Sequence, residues 1–244
     1  LLQRPCKVTM QLPPLFEGRI EKRYKRFLAD VVLDDGRHIT AHCANTGSMQ
    51  GCWEPHAPVQ VSHSDNPRRK LAWTLERVDM GQGWIGVHTG RTNPVVEEAV
   101  REGAVDALRG YRQIRREATY APQGFERARF DLLLTQGARP DVWVEVKNVT
   151  LWQGQALAFP DAVTQRGRKH LLLLGQACRE GYRGVMVYAL NRPEGRFFRP
   201  ADEIDPAYGD TLRQVMAQGV EVVALRIEHG SRTMRIIGEV PVRF

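Results

Sequence analysis

The stretch that decides the fold is Arg129–Lys147, which reads RFDLLLTQGARPDVWVEVK. Its two ends are apolar and β-branched enough to predict two strands, and Gln136–Pro140 supplies the turn signals between them. A turn centred on Ala138 places Asp131 opposite Glu145, and directly opposed side chains have Cβ atoms about 4.5–5.5 Å apart. The sequence therefore predicts a β-hairpin that brings two carboxylates together.

The two carboxylates of this hairpin predict a metal site. Facing acids repel each other unless something positive lies between them. A hard divalent cation such as Mg²⁺ or Mn²⁺ suits oxygen ligands, and Mg²⁺ keeps bound waters that serve as nucleophiles. Lys147 projects from the same face as Glu145, about 6.6 Å further along, while Val144 and Val146 point into a core. Asp131, Glu145 and Lys147 are therefore candidate catalytic residues, with the two carboxylates as metal ligands.

A simpler interpretation of these residues remains open. In it Lys147 forms an ordinary ion pair with Glu145, because short motifs of this kind recur by chance. Asp141 completes a literal Pro-Asp pair with Pro140. It lies four residues before Glu145 on one strand, about 13 Å away, which is too far to share a metal ion. Asp131 is therefore the better ligand.

Composition sets the broad class of protein. A chain of 244 residues exceeds the usual single-domain size, so two domains or one large one are expected. No apolar run approaches the ~18 residues of a membrane span. The N-terminus lacks a basic-then-apolar signal pattern, and Met10 is a candidate natural start. Four scattered cysteines favour ordinary thiols in a reducing cytoplasm over a zinc site.

The charge of the chain points to a polyanionic partner. The formal net charge is +7 and the isoelectric point is about 9.5. Basic residues are in excess in both halves of the chain, as expected if both halves contact one polyanion. The alternative is a basic, soluble surface without such a partner, which charge alone leaves open.

The first third of the chain reads as a series of short strands separated by turn signals. Five or six such strands within about 75 residues predict a small barrel, and an OB-fold is the common nucleic-acid-binding barrel of that size. Basic side chains beside aromatic ones suit phosphate pairing plus base stacking, although a solvated edge strand would look similar. The candidate DNA contacts are Arg19, Lys22, Arg23, Tyr24, Lys25 and Arg26, near Phe27, together with Arg68, Arg69 and Lys70.

The remainder of the chain reads as an α/β domain. We place the boundary in the Gly/Thr/Asn-rich connection His88–Pro94, so that residues 1–88 form the OB-like barrel and residues 89–244 the second domain. Thr92 or Asn93 is expected to cap a helix that ends at Gly110. Three strands, a helix, a strand, and a further helix with strands follow. This order predicts a restriction-endonuclease-like domain with a mixed sheet.

The second predicted helix carries two further candidate DNA contacts, Arg166 and Lys169. We expect both side chains to face the hairpin, where cations would meet the scissile phosphate. The alternative is that they are solvated basic residues at the start of a helix.

Longer stretches of the chain resemble the sugar fermentation stimulation protein A family, from about Leu12 to Val242. The resemblance implies an OB-like domain joined to a PD-(D/E)xK nuclease-like domain. It also implies sequence-nonspecific DNA binding and a regulatory role in sugar metabolism, notably of maltose. The matching stretches include Arg23–Val31 (RYKRFLADV), Cys43–Met49 (CANTGSM), Ser64–Asn66 (SDN), Arg129–Asp131 (RFD), Val144–Lys147 (VEVK) and Phe159–Thr164 (FPDAVT).

The resemblance also implies a third carboxylate in the metal site. The family pattern N-x-x-x-x-E-A matches Asn93 and Glu98, which makes Glu98 a catalytic residue and metal ligand. Helix geometry alone does not decide between Glu97 and Glu98. Asn148 follows the motif lysine at a position where the family is expected to have serine.

Three functions follow from these observations. The first is a DNA-binding regulator without sequence preference, and the second is a Mg²⁺-dependent deoxyribonuclease. The third is a structure-specific enzyme that processes RNA or DNA on the same fold. Because one fold hosts binding and catalytic members, fold alone does not decide between them. Strand preference, regulatory targets and oligomeric state are left open by the sequence.

Overall fold

The fold is built on two large sheets, one in each domain. The computed structural model describes residues 9–244. Within them the helices are α1 (Thr92–Arg101), α2 (Gln165–Arg179) and α3 (Pro206–Ala217). The strands are β1 (Met10–Gln11), β2 (Leu15–Tyr24), β3 (Leu28–Leu33), β4 (His38–Cys43), β5 (Pro58–His63), β6 (Trp73–Asp79), β7 (Trp84–Gly86), β8 (Gln113–Tyr120), β9 (Ala128–Thr135), β10 (Val142–Val149), β11 (Leu151–Gln153), β12 (Ala156–Phe159), β13 (Arg183–Leu190), β14 (Phe197–Pro200), β15 (Glu221–His229) and β16 (Thr233–Glu239).

Strands β2 to β6 close into a barrel, which confirms the predicted OB fold. Neighbouring strands pair in the order β4-β3-β2-β5-β6, and a parallel pairing of β4 with β6 closes the ring. Ala29, Val31 and Leu33 on β3 alternate with partly exposed residues, as a strand with one buried face requires. Their side chains meet those of Val61 and Leu75 in the barrel core.

The second sheet is mixed and has seven strands in the order β1-β16-β15-β13-β10-β9-β8. Strands β10, β13 and β15 are parallel, and the outer strands are antiparallel. The apolar run Val185–Leu190 of β13 is fully buried, because helices cover the sheet on both faces. This arrangement confirms the restriction-endonuclease-like fold class.

The helices form two layers around that sheet. Helix α1 packs on one face against Val146 and Val187, while α2 and α3 cover the other face around Tyr188. The prediction that α1 continues to Gly110 was wrong. The helix ends at Arg101 because Glu102 and Gly103 close it, with Gly103 in the left-handed region at φ 66°.

Two parts of the sheet structure were not predicted. Strand β1 pairs with β16 and Leu12 packs into the core of the second domain, so the barrel begins only near Leu15. Residues 10–12, which the prediction placed in the barrel, therefore lie with the second sheet. Strands β11, β12 and β14 also form a small separate sheet.

The barrel and the second domain are joined by direct hydrogen bonds. The backbone amide and hydroxyl of Ser48 both donate to Asp161 Oδ2, at 2.9 and 3.1 Å. Arg77 reaches from the barrel to the carbonyl of Gly230 at 2.7 Å, although its guanidinium is buried and its pKa is lowered to about 10 by that burial. The two domains therefore meet through polar as well as apolar contacts.

The composition-based predictions concern cysteines and membrane segments. Cys43 and Cys52 are free thiols buried in the barrel core, and Cys178 is a partly buried free thiol. Cys6 lies outside the described residues. None of the helices found in residues 9–244 is both long and apolar enough to cross a membrane.

Candidate functional site

The hairpin formed by β9 and β10 has the predicted register. Leu134 pairs with Val142, and Leu132 pairs with Val144. The next residues in this register are Asp131 on β9 and Glu145 on β10. Regular strand pairing stops there, and the Val146 amide donates instead to Asp131 Oδ2 at 2.7 Å. The aspartate carboxylate thus takes the place of a backbone acceptor at the point where the two strands separate.

Asp131 is held in a polar but poorly solvated position. Its Oδ1 accepts a 2.6 Å hydrogen bond from Asn93 Nδ2 on α1. Burial, reinforced by repulsion from Glu145, raises the pKa of Asp131 to about 6. The carboxyl group is therefore easily protonated near neutral pH, and any cation placed beside it would favour its charged form.

Glu145 is almost completely buried, at 3% exposure. Its Oε1 accepts from Lys147 Nζ at 2.5 Å and also from Nδ1 of His170. Burial by itself would raise the pKa of Glu145, but the His170 hydrogen bond and the Lys147 charge hold that pKa below its ordinary value. Since an ionised carboxylate only accepts hydrogen bonds, the Nδ1 atom of His170 carries the proton in this contact.

The second oxygen of Glu145 bears on whether these residues suit a metal ion. Glu145 Oε2 is buried and has no hydrogen-bond partner among the described residues. A buried carboxylate oxygen without a partner is costly, and a cation would compensate that cost. Mg²⁺ is often held by only one or two carboxylates and keeps several waters. Glu145 Oε2 and the Asp131 carboxylate therefore fit a hard divalent cation.

Within the described residues, Glu98 makes no hydrogen bond or ion pair with Asp131 or Glu145. The pKa of Glu98 is raised by partial burial and by Glu102, without a contribution from the hairpin acids. In the part of the chain that the structure describes, no three His, Cys, Asp or Glu side chains are grouped to hold a metal ion. Glu97 shares the helix face of Asn93, but it is buried and paired with Arg101 and Arg116. The assignment of Glu98 as a metal ligand stays a prediction.

Sequence reasoning missed the roles of two residues, Asn93 and His170, that position the carboxylates. Asn93 was expected to cap α1, yet its side chain holds Asp131, and Thr92 donates to Asn148 Oδ1 at 2.9 Å. His170 is buried and contacts Glu145 from α2. The available signal was that His170 interrupts the apolar face formed by Leu171, Leu173 and Leu174. A buried polar residue on such a face needs a partner.

Several of the predicted DNA contacts in the barrel are already engaged within the protein. Arg23 donates to the carbonyls of Arg26, Asn45 and Gly47 at 2.8–3.0 Å, so it organises a loop. Other engaged side chains are Arg19 with the His56 carbonyl, Lys22 and Tyr24 with Asp30, and Arg69 with Thr74. Among the predicted DNA contacts within residues 9–244, the charged ends of five side chains have no acidic partner and no hydrogen bond: Lys25, Arg26, Arg68, Lys70 and Arg166.

The two cations of α2 differ in their surroundings. Lys169 forms an ion pair with Glu126 in the loop before β9. Arg166 is exposed and lies one helical turn before His170, the residue that contacts Glu145. Residues four apart share a helix face, so Arg166 lies on the same face of α2 as His170. Lys169 differs from it in being engaged by Glu126.

Comparison with known proteins agrees with this architecture. Residues 22–87 match the family model described as "SfsA N-terminal OB domain", and residues 90–233 match "Sugar fermentation stimulation protein RE domain". A solved structure, Pyrococcus furiosus SfsA in complex with Ca²⁺, superposes with a TM-score of 0.86 at 24% identity, covering 99% of this chain and 100% of that chain. The fold is thus that of two-domain proteins in which an OB barrel precedes a restriction-endonuclease-like domain.

The curated relatives identify the family. A sugar fermentation stimulation protein homolog of Geobacter metallireducens is 49% identical, over 96% of this chain and 99% of the relative. A homolog of Syntrophotalea carbinolica is 52% identical, over 89% of this chain and 92% of the relative. The chain belongs to the sugar fermentation stimulation protein family.

Proposed function

We propose that this protein binds DNA without sequence preference and that its Asp131–Glu145–Lys147 site is a nuclease site that uses Mg²⁺ or Mn²⁺ to hydrolyse phosphodiester bonds. The observation that carries the proposal is the buried, unpartnered Oε2 of Glu145 beside an aspartate whose pKa is raised to about 6. Such a pair of strained acids is unfavourable for the fold and is typical of functional sites.

The divalent ion would be held by Glu145 Oε2 and the Asp131 carboxylate. When bound, it would supply a water of lowered pKa and would offset the charge that develops on the phosphate. The P. furiosus protein was solved in complex with Ca²⁺. For the present chain a divalent ion is proposed from its own two carboxylates.

The surrounding side chains would prepare this site. Asn93 and the Val146 amide orient Asp131, and His170 orients Glu145. Lys147, whose side chain is only 16% exposed, would hold or move a proton at its Nζ atom and stabilise the charge on the reacting phosphate. Arg166 would bind a phosphate oxygen from the same side of α2 as His170.

DNA binding is supported by charge and by unpaired cations. The net charge of +7 favours a polyanion, and Lys25, Arg26, Arg68 and Lys70 project from barrel loops without acidic partners in the described chain. Phosphate contacts of this kind give affinity without reading the base sequence. Regulation of sugar metabolism, which the name of the relatives suggests, and a cytoplasmic location both stay predictions.

A second function, DNA binding without cleavage, is favoured by a different observation. Glu145 is already compensated by Lys147 and His170, and Glu98 is not grouped with the hairpin acids. In that case the ion pair of Glu145 with Lys147 is structural, as in members of this fold class that only bind.

The test measures cleavage and binding on the same samples. Labelled DNA would be incubated with wild type, Lys147→Ala and Asp131→Asn in Mg²⁺, Mn²⁺ or EDTA. Wild type should cleave only with metal, and each variant should lose about 10²-fold or more in rate while keeping salt-sensitive affinity. Asp141→Asn, outside the site, is the matched control and should cleave normally. Metal-independent binding without any cleavage by wild type would establish the second function.

A further inference from the structure

A cleft in the barrel joins the two basic clusters that are far apart in the sequence. It has a volume of about 530 Å³ and is lined by Phe27, Leu28, His42, Arg69, Lys70 and Leu71. The parallel pairing of Ala41 with Trp73 brings the connection before β6 beside β4, and Leu28 pairs with His42 on the other side. The β2–β3 turn and the β5–β6 connection therefore form the two walls of one site.

The walls of this cleft are mainly apolar although it is open to solvent. Phe27 is 44% exposed, which is unusual for a phenylalanine on a barrel surface. It follows Lys25 and Arg26, both in the left-handed region at φ 48° and 67°, in the tight turn between β2 and β3. An open apolar cleft with few polar groups is typical of a binding site for a flat, apolar ligand surface.

The rim of the cleft is cationic. Lys70 lines the cleft, Lys25 and Arg26 directly precede Phe27, and Arg68 directly precedes Arg69. The structure gives these four side chains no acidic partner within residues 9–244. Arg69 is fixed in the wall by a 2.6 Å hydrogen bond to Thr74 Oγ1. The ligand that matches this surface has a flat apolar part and negative charges on both sides of it.

We propose that the cleft binds an unpaired base of single-stranded DNA, with Phe27 stacking on the base and Arg26 and Lys70 contacting the flanking phosphates. The inference rests on the proposed DNA binding and adds the form of DNA that is preferred. Bases within a duplex are stacked on each other and offer only phosphates, whereas an unpaired base offers its ring face. Because the apolar walls carry few hydrogen-bonding groups, the site tolerates any base, which agrees with binding without sequence preference.

The test compares DNA forms in fluorescence anisotropy titrations with EDTA present to prevent cleavage. The probes are a labelled 12-nucleotide single strand, an abasic strand of equal charge and a duplex. Phe27→Ala should lower affinity for the single strand by about 5- to 150-fold and leave duplex affinity unchanged. The abasic strand should bind wild type as weakly as the normal strand binds Phe27→Ala, and should be insensitive to that substitution.

The control variant is Phe244→Ala, which removes a ring that is 55% exposed in the second domain. It should leave all three affinities unchanged, and thermal melting should show both variants folded. Three results would overturn this inference but not the proposed DNA binding. They are an equal loss of affinity for single strand and duplex in Phe27→Ala, no loss of affinity in Phe27→Ala, and tighter binding of duplex than of single strand by wild type. A change in sedimentation coefficient without a change in DNA affinity would also overturn it, in favour of contact between copies. Wild type that binds none of the probes would overturn the proposed DNA binding as well.

Discussion

The effect of Asp131→Asn on the free energy of unfolding should change sign between pH 4 and pH 8. In the folded protein the pKa of Asp131 is raised from 3.8 to about 6 by burial and by Glu145. A carboxyl group with a raised pKa favours the folded state below its unfolded pKa, and this contribution is lost as pH rises through the folded value. At pH 8 without metal, the ionised Asp131 therefore destabilises the fold.

The magnitude follows from the two pKa values. A rise from 3.8 to about 6 corresponds to about 3 kcal/mol in full, most of which is lost between pH 4 and pH 8. Asp131 Oδ1 and Oδ2 accept from Asn93 and Val146, and an asparagine side chain keeps only one acceptor oxygen. That loss costs about 1–2 kcal/mol at any pH. Asp131→Asn should therefore be about 1–2 kcal/mol more stable than wild type at pH 8, and less stable at pH 4.

Urea unfolding in EDTA at both pH values measures this difference, with Asp141→Asn as the control. Mg²⁺ at 100 times its dissociation constant should add about 2.7 kcal/mol to wild type and nothing to Asp131→Asn. If the stability difference between variant and wild type is the same at pH 4 and pH 8, Asp131 does not carry a raised pKa. If both proteins respond equally to Mg²⁺, the metal is bound elsewhere.

Other substitutions test the parts of the site separately. His170→Ala should lower the free energy of unfolding by about 2–3 kcal/mol at pH 7, because the charged form of Glu145 loses a hydrogen bond. Since the pKa of Glu145 is lowered in the folded protein, this destabilisation should become smaller below pH 4, and urea unfolding at several pH values measures it. Arg23→Ala should lower barrel stability by about 1–3 kcal/mol, since three carbonyls lose their donor, whereas Arg26→Ala should leave the melting temperature unchanged and reduce the salt slope of DNA binding by about 1. Arg166→Ala should slow metal-dependent cleavage at least 10-fold without changing the melting temperature, and an unchanged rate would remove Arg166 from the site.

The hairpin and the barrel could be predicted because short-range signals decide them. The register of β9 and β10 follows from where the turn lies, and the turn residues Gln136–Pro140 mark that position in the sequence. Alternation of apolar with more polar residues, as around Val31 and Leu33, predicts the barrel strands. The burial of β13 follows from its continuous apolar run. In each case a local pattern determines which face is buried.

The features that were missed depend on contacts between distant segments. Nothing near Met10 indicates that β1 pairs with β16, and the pairing of Asn93 with Asp131 requires α1 to pack across the hairpin. Arg23 looked like a DNA contact because its charge is visible in the sequence, while the loop carbonyls that it binds are supplied by distant residues. Tertiary contacts of this kind decide the role of a polar side chain, and residue type alone does not.

The pairing of β1 with β16 makes the barrel an insertion within the other domain. The chain leaves the large sheet after Leu12, builds the whole barrel, and returns at Thr92 to the helix that packs on the same sheet. The barrel is thus tethered at both ends, so it cannot swing freely as a domain on a single linker would. A strand of DNA held by the barrel loops would therefore lie at a constant distance from the hairpin carboxylates. Cleavage would then occur a fixed number of nucleotides from the bound segment.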